Sequence, residues 1–356
     1  MMRKRRLLMI LNYHRIGDST RTPYDPGVFS ATAEEFDAQI TYLKRRYHIT
    51  TLEEVRHIAH GGNVSETLVL ITFDDGYLDN YTLALPILRK HNVQGTFFLP
   101  TSFIGTGKLP WWDIIAFIVK QSQKKVIQLR FPEPATFVLE REGLSKVIKE
   151  ILQLYKRPSM RESERFISEL ESSCESSRPQ AESARCFLNW EEAREMQRAG
   201  MAFGSHTHTH EILAKLSPDQ QLQELRQSRE ILESQLKVPI DTLSFPVGQK
   251  DTFSPETVRI LDSTGYRAAF SFYGGLNLPG KFSPFDIRRY GVDGPWRWAT
   301  RRNCQRILKS AQQKLAGWQF GAPGIQINAM TDHRWRLFTT LREYAHVLSV
   351  VCRKAS

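Results

Sequence analysis

The chain has 356 residues, 41% of them hydrophobic and 24% charged, an ordinary globular balance with room for a (β/α) barrel of roughly 250 residues and appendages. Its four cysteines, Cys174, Cys186, Cys304 and Cys352, are far apart and form no CxxC; this speaks against a zinc ribbon and reads as free thiols in a reducing compartment. The formal charge of +11 is unevenly spread, because Trp296 to Thr331 holds six Lys or Arg and no acid, a local bias more informative about partners than the total.

The first segment, MMRKRRLLMILNYHRIG, is basic at its start. Its apolar run, Leu7 to Leu11, is short for a secretory signal and lacks a small-residue cleavage site. We expect a buried strand over Leu7–Tyr13. No segment approaches the ~18–20 apolar residues of a membrane span, so the expected location is cytoplasmic. SATAEEFDAQITYLKRRY follows, with a capping box at Thr32 and Glu35 and a helical stripe of Phe36, Ile40 and Leu43. A second strand is predicted over Thr67–Phe73. A helix in LDNYTLALPILRKHN should be kinked or split at Pro86. A third strand is predicted over Gly95–Pro100. Strands alternating with helices at this spacing argue for parallel βα units.

The rhythm breaks over about 107–188, a stretch rich in polar helix formers, which we read as a helical insertion on the scaffold, with ESSCESSRPQAESA as a loop. It resumes with helix WEEAREMQRAG, strand MAFGS, and a helix capped at Ser217 with Pro218 in its first turn and Gln220 closing the box. Strand TLSFP, helix SPETVRILDSTG and strand RAAFSF complete the series. Two amphipathic helices are predicted to close the chain, stepping through Cys304, Leu308, Ala311, Leu315 and Trp318, and through Phe338, Leu341, Ala345, Leu348 and Cys352.

Two strand ends carry the chemistry. LVLITFDDGY places Asp74 and Asp75 at the carboxyl end of a buried strand, where sites of parallel α/β folds assemble. Adjacent carboxylates there need a compensating partner, unless one caps the next helix and the other is solvated. MAFGSHTHTH ends in His206, His208 and His210. If the chain turns or becomes helical after Ser205, His206 and His210 share a face at i, i+4, a spacing suited to one zinc ion, and His208 points away. A solvated histidine cluster or a structural cap is the plainer reading of that motif alone. Together, two His and one carboxylate make an open catalytic zinc site, leaving the second carboxylate as a base.

TFDDGY, GSHTHTHEIL and LSFPVG, in that order, resemble the polysaccharide deacetylases of carbohydrate esterase family 4; LNYHRIG and YRAAFSF…DIRRYGV add to the likeness, which covers about Leu7 to Val292. The resemblance implies a distorted (β/α)7 barrel over 1–292, interrupted by the 107–188 insertion, with 293–356 as a basic helical tail packed on it. It implies that Asp75, His206 and His210 bind a divalent metal, most often zinc, that Asp74 is the general base, and that Thr207 supports the ligands. Tyr77 and Phe245, Pro246, Val247 and Gly248 would line the substrate groove, with the Val247 N–H on the oxyanion. The implied reaction is hydrolysis of acetamide groups on an N-acetylated sugar, in a polysaccharide, an oligosaccharide or a lipid-linked glycan; O-deacetylation and a non-catalytic glycan-binding member are the alternatives. A glycosidase fits less well, since it needs two carboxylates ~5–9.5 Å apart across the bond.

Three departures from the family pattern stand out. No clear late histidine supplies the general acid: His333 lies in a poor context, and His14, at the end of the first strand, is our candidate for acid or electrophile. No Arg shortly precedes SFPVG, so Arg288 or Arg289 is the candidate to orient the base. Glu211 stands where a Pro often follows the second His. The basic, aromatic 296–320 segment is expected to pack its apolar stripe on the barrel, with peripheral contact to an anionic membrane surface or lipid-linked sugar as its further use; no signature supports specific nucleic-acid binding.

Overall fold

The computed structural model describes residues 7–157, 162–179, 185–275 and 277–292. The chain is built round a parallel sheet that nearly closes into a barrel. Its strands are β1 (Leu8–Tyr13), β2 (Leu68–Asp74), β3 (Gly95–Leu99), β4 (Ala202–Ser205), β5 (Thr242–Ser244), β6 (Ala268–Ser271), β7 (Ile287–Arg288) and β8 (Tyr290–Gly291). The spatial order is β7-β6-β5-β4-β3-β2-β1-β8, and every pairing along it is parallel. β7 and β8 are separated by Arg289 alone, and one hydrogen-bonds β6 while the other hydrogen-bonds β1. This short segment therefore bridges the two ends of the sheet, and the expected barrel is the architecture found.

Period-two alternation sorts side chains between the inside of the barrel and its outer layer. Leu8, Ile10, Leu68, Leu70, Phe98, Ala268, Phe270 and Ile287 form one apolar cluster. Two residues further along β1 and β2, the same alternation brings Asn12 and Thr72 together, with a hydrogen bond of 2.8 Å, and then Asp74. The barrel is thus apolar low down and polar at its carboxyl rim. The helices expected from the capping boxes are present at Ala33–Arg46 and Pro218–Leu236, and the helix expected in WEEAREMQRAG at Trp190–Arg198, where the structure adds a capping box from Asn189 and Glu192. Pro86 does split its helix: a π turn over Asn80–Ala84 gives way to an α-helix over Leu85–Lys90.

The insertion corrects the sequence reading, because it is not purely helical. Helices Trp111–Lys120, Leu144–Lys156 and Ser163–Cys174 flank an antiparallel hairpin of Val126–Leu129 and Ala135–Val138. The last of these helices also occupies the first part of the stretch expected to be a loop. The insertion packs its own core, including Trp111, Ile115, Ile148, Ile151, Phe166 and Phe187, against Tyr77 and Phe103 of the barrel. Cys174 and Cys186 are free thiols. Among the described residues no helix is long and apolar enough to cross a membrane. The closing helices, and the contacts expected of 296–320, lie outside the described residues.

Candidate active site

β2 delivers two carboxylates to the rim and treats them differently. Asp74 is the last strand residue, and both its oxygens face Arg289: Nη1 to Oδ1 and Nη2 to Oδ2, each at 2.8 Å. Asn12 donates to Oδ2 at 3.1 Å and Ser244 at 3.2 Å. Arg289 is fully buried, also donating to Asn12 Oδ1 at 2.7 Å and Ser244 Oγ at 2.7 Å. Burial alone would raise the Asp74 carboxyl; the Arg289 guanidinium, with His206, outweighs it and holds the group well below the usual carboxylate range. Among the described residues Oδ1 accepts only from Arg289 and so retains lone-pair capacity. Of the two candidates to orient Asp74, the structure selects Arg289; Arg288 belongs to β7, and its guanidinium lies over Tyr273.

Asp75 follows at φ 73° and Gly76 at φ 70°, so the chain leaves the strand through left-handed backbone and swings Asp75 toward β4. His206 and His210 meet it there. Their Nε2 atoms are 3.0 Å apart, and each lies near Asp75 Oδ1, at 3.5 Å from His206 and 3.4 Å from His210. Of the turn or helix expected after Ser205, the turn is what achieves this. Thr207 and His210 adopt φ of 65° and 61°, and the loop folds His210 back over His206. A non-glycine residue at positive φ is uncommon and is held by its surroundings. The loop is held by hydrogen bonds from Thr207 N to Ser205 Oγ, His210 N to Thr207 Oγ1, and the His208 and Thr209 N–H groups to Glu224. Thr207 therefore supports the histidine geometry as expected, and His208 turns away to Thr101 Oγ1 at 2.8 Å.

The protonation pattern suits a cation. His206 Nδ1 lies 2.7 Å from the Ser244 carbonyl, which can only accept, so Nδ1 carries a hydrogen. Burial opposes the imidazolium but Asp74 and Asp75 raise the ring, and in its neutral form Nε2 offers a lone pair to a cation that would take the second proton's place. Burial and the neighbouring His206 push His210 down to about 3, keeping it neutral. Burial would raise Asp75, but His206 and His210 reverse that and lower it. Asp75 Oδ1 is buried and has no hydrogen-bond donor, which is costly unless a cation stands in. Asp75, His206 and His210 are buried and bring three ligand atoms within 4.8 Å of one another. Donors about 3.3 Å apart are what a tetrahedral ion with bonds of about 2.0–2.1 Å requires, so the residues fit a small divalent metal.

These groups open on a cavity of about 480 Å³. His14, one residue past β1, lines it, with its ring 5.8 Å from that of Phe272. Phe245 and Val247 also line it; Pro246 and Gly248 do not, and instead shape the turn, in which Gly248 O accepts from Phe272 N at 2.7 Å. Val247 sits at φ 62°, an outlier for a β-branched residue. Tyr77 requires a correction. It is fully buried beneath the cavity wall, accepting from Trp112 Nε1 at 2.7 Å and donating to Asp113 Oδ2 at 2.8 Å, so it supports the wall and does not face the cavity. The wall residues missed in the sequence are Trp111, Trp112 and Lys156 of the insertion, and Asp25. Trp112 packs on His210 with ring centroids 4.5 Å apart.

A buried Asp-His-His cluster thus sits beside a guanidinium-clamped aspartate at the carboxyl rim of a parallel barrel. The sequence profile of the polysaccharide deacetylase family matches residues 61–269, more than half of the chain, and the chain belongs to that family. It is 24% identical over 264 residues to the putative polysaccharide deacetylase YxkH of Bacillus subtilis, covering 73% of this chain and 62% of that protein. It is 31% identical over 110 residues to the poly-beta-1,6-N-acetyl-D-glucosamine N-deacetylase of Staphylococcus epidermidis, covering 28% of this chain and 37% of the relative. The chain therefore spans less than two thirds of the length of these curated relatives. Among solved structures, the Streptococcus pyogenes deacetylase PplD in complex with acetate shares the fold, with a TM-score of 0.52 and 19% identity over 81% of this chain and 93% of that one.

Proposed function

We propose that the chain is a zinc-dependent N-deacetylase of an N-acetylhexosamine glycan. The observation that carries this reading is the meeting of Asp75 Oδ1 with the Nε2 atoms of His206 and His210 beside an ionised Asp74. The likeness to poly-beta-1,6-N-acetyl-D-glucosamine N-deacetylases makes β-1,6-linked N-acetylglucosamine the first substrate to test. Asp75, His206 and His210 would hold the zinc ion, which would supply a Lewis acid for the acetyl carbonyl and a bound water of pKa near ~7. Asp74 accepts the proton of the attacking water at Oδ1. Arg289 weakens Asp74 as a base but fixes its direction, and positioning is worth more here than intrinsic strength. The Val247 N–H donates to the developing oxyanion, a contact of the kind worth a few kcal/mol. His14 gives a proton to the leaving amine as the C–N bond breaks, so that water and acetamide become acetate and amine.

The purified full chain should lose acetate release from a β-1,6-linked N-acetylglucosamine oligomer on chelation and regain it with Zn²⁺. His14→Ala should lower kcat by about 10²-fold or more with little change in KM. A zinc-loaded chain that releases no acetate from this oligomer or from chitooligosaccharides would remove the proposal.

A further inference from the structure

The insertion and the loop after β1 place two opposite charges on the cavity wall without pairing them. Asp25 is 7% exposed; its Oδ1 accepts from Gly27 N at 2.8 Å, its backbone N–H is held by Asp113 at 3.1 Å, and its Oδ2 has no partner among the described residues. Lys156 ends the helix Leu144–Lys156, with its ammonium 5.8 Å from the centre of the Trp111 ring. It makes no hydrogen bond or ion pair among the described residues, yet it feels the field of both Asp25 and Asp75. The other insertion cation on this wall, Arg157, is occupied by Glu133 at 2.6 Å. The indole Nε1 of Trp111 is likewise buried without an acceptor.

A carboxylate only accepts and an ammonium or an indole N–H only donates. Lining one cavity beside an aromatic ring, they are complementary to a group that does both. Neighbouring sugar hydroxyls do both: one accepts from the ammonium while the next donates to the carboxylate, and the apolar face of the ring has the indole to cover it. A phosphate or carboxylate would satisfy Lys156 but would be repelled by Asp25. We propose that Asp25 and Lys156 form a hydroxyl clamp that holds a neutral sugar ring of the substrate against Trp111. This inference rests on the glycan reading above and assigns to the insertion the choice of substrate. Burial pushes the Asp25 carboxyl up and the Lys156 ammonium down, which agrees with two groups still lacking close partners.

The test uses the full chain in two states. The zinc-loaded chain gives kcat and KM for a β-1,6-linked N-acetylglucosamine oligomer. The chelator-treated chain gives its Kd without turnover. Lys156→Met and Asp25→Asn should each raise KM and Kd by about ten- to a hundredfold, the worth of a hydrogen bond to a charged group, with kcat changed by far less. Lys156→Arg should retain most of the affinity, and unfolding midpoints should show that each variant is folded. If neither variant moves Kd, or if the chelated wild type does not bind the oligomer, the clamp is wrong. If Lys156→Met weakens binding while Asp25→Asn tightens it, the subsite takes an acidic ligand and the clamp is again wrong. Raised Kd in both variants, alongside a zinc-loaded wild type that releases no acetate, would keep the clamp and discard the deacetylase reading.

Discussion

Asp74 and Asp113 are both buried carboxylic acids, 2% and 0% exposed, and the protein treats them in opposite ways. At the barrel rim, Asp74 meets a guanidinium and stays ionised far below its ordinary range. In the insertion, Asp113 has no cation in contact; it accepts from Tyr77 and from the Asp25 N–H, and burial pushes it up to about 7. The rim keeps a charge where chemistry needs one and places Arg289 to hold it. The insertion wall keeps a carboxyl whose ionisation burial opposes, a fixed acceptor for Tyr77 and the Asp25 N–H, and Tyr77 in turn holds Trp112, whose ring packs on His210. One region is built for charge, the other for shape.

The largest test of this contrast is Arg289→Met, which preserves length but leaves Asp74 without its cation. Breaking a buried pair from one side costs about 3–5 kcal/mol, and urea denaturation at neutral pH should show a loss of that order together with a collapse of acetate release. The sign with pH follows. The folded value of Asp74 is depressed, so its stabilisation is present above the unfolded value near 3.8 and is lost as pH falls. The variant should lack this acid-side loss. An unchanged stability would mean that the guanidinium does not hold the charge.

Asp113 should behave oppositely and somewhat more weakly. Its folded value, about 7, lies above the ordinary 3.8, so the folded state binds the extra proton between these values. Stability then falls as pH rises from about 4 to 7 and is flat beyond, by up to a few kcal/mol. Asp113→Asn keeps an acceptor for Tyr77 and removes the titration, so its unfolding free energy should lose that slope. A wild-type slope that survives in the variant would assign it to other groups.

The rim was legible because it follows strand grammar: the runs before Asp74 and His206 are short apolar strands that end in candidate ligands, and a parallel fold sends such ends to one face. The way His206 reaches His210 was not legible. It depends on left-handed Thr207 and His210, and no glycine marks the bend. Arg289 was narrowed to two neighbours and no further, since strands of two residues carry no readable period. It also lies, with His14, outside the matched 61–269. In the insertion, the hairpin's alternation at Val126–Leu129 was present, exposed then buried twice over, but polar helix formers on either side masked it. Trp111 and Trp112 open an apolar helix, and nothing local says that one of them will meet a histidine about a hundred positions later. The charge-built region follows rules of strand ends; the shape-built region depends on tertiary packing.

The smallest expected effect separates shape from hydrogen bonding within the insertion. Trp112 packs its ring on His210 at 4.5 Å and donates its Nε1–H to Tyr77 at 2.7 Å. Trp112→Phe keeps an aromatic face on the histidine and removes the donor together with the bulk of the second ring. Tyr77 still donates to Asp113, so the hydrogen-bond part of the loss is one buried acceptor's partner, about 1–2 kcal/mol, or about 2–5 °C of the fall in unfolding midpoint. Because His210 Nδ1 has no hydrogen-bond partner of its own, the ring contact is what orients this imidazole, and zinc affinity measured by competition with a chromophoric chelator should stay within about threefold of wild type, well short of the 10–100-fold typical when a ligand's supporting contact is lost. A fall in affinity of that larger size would show that the Trp112–Tyr77–Asp113 hydrogen bonds, and not the packed ring, carry the support from the insertion to the loop of His206 and His210.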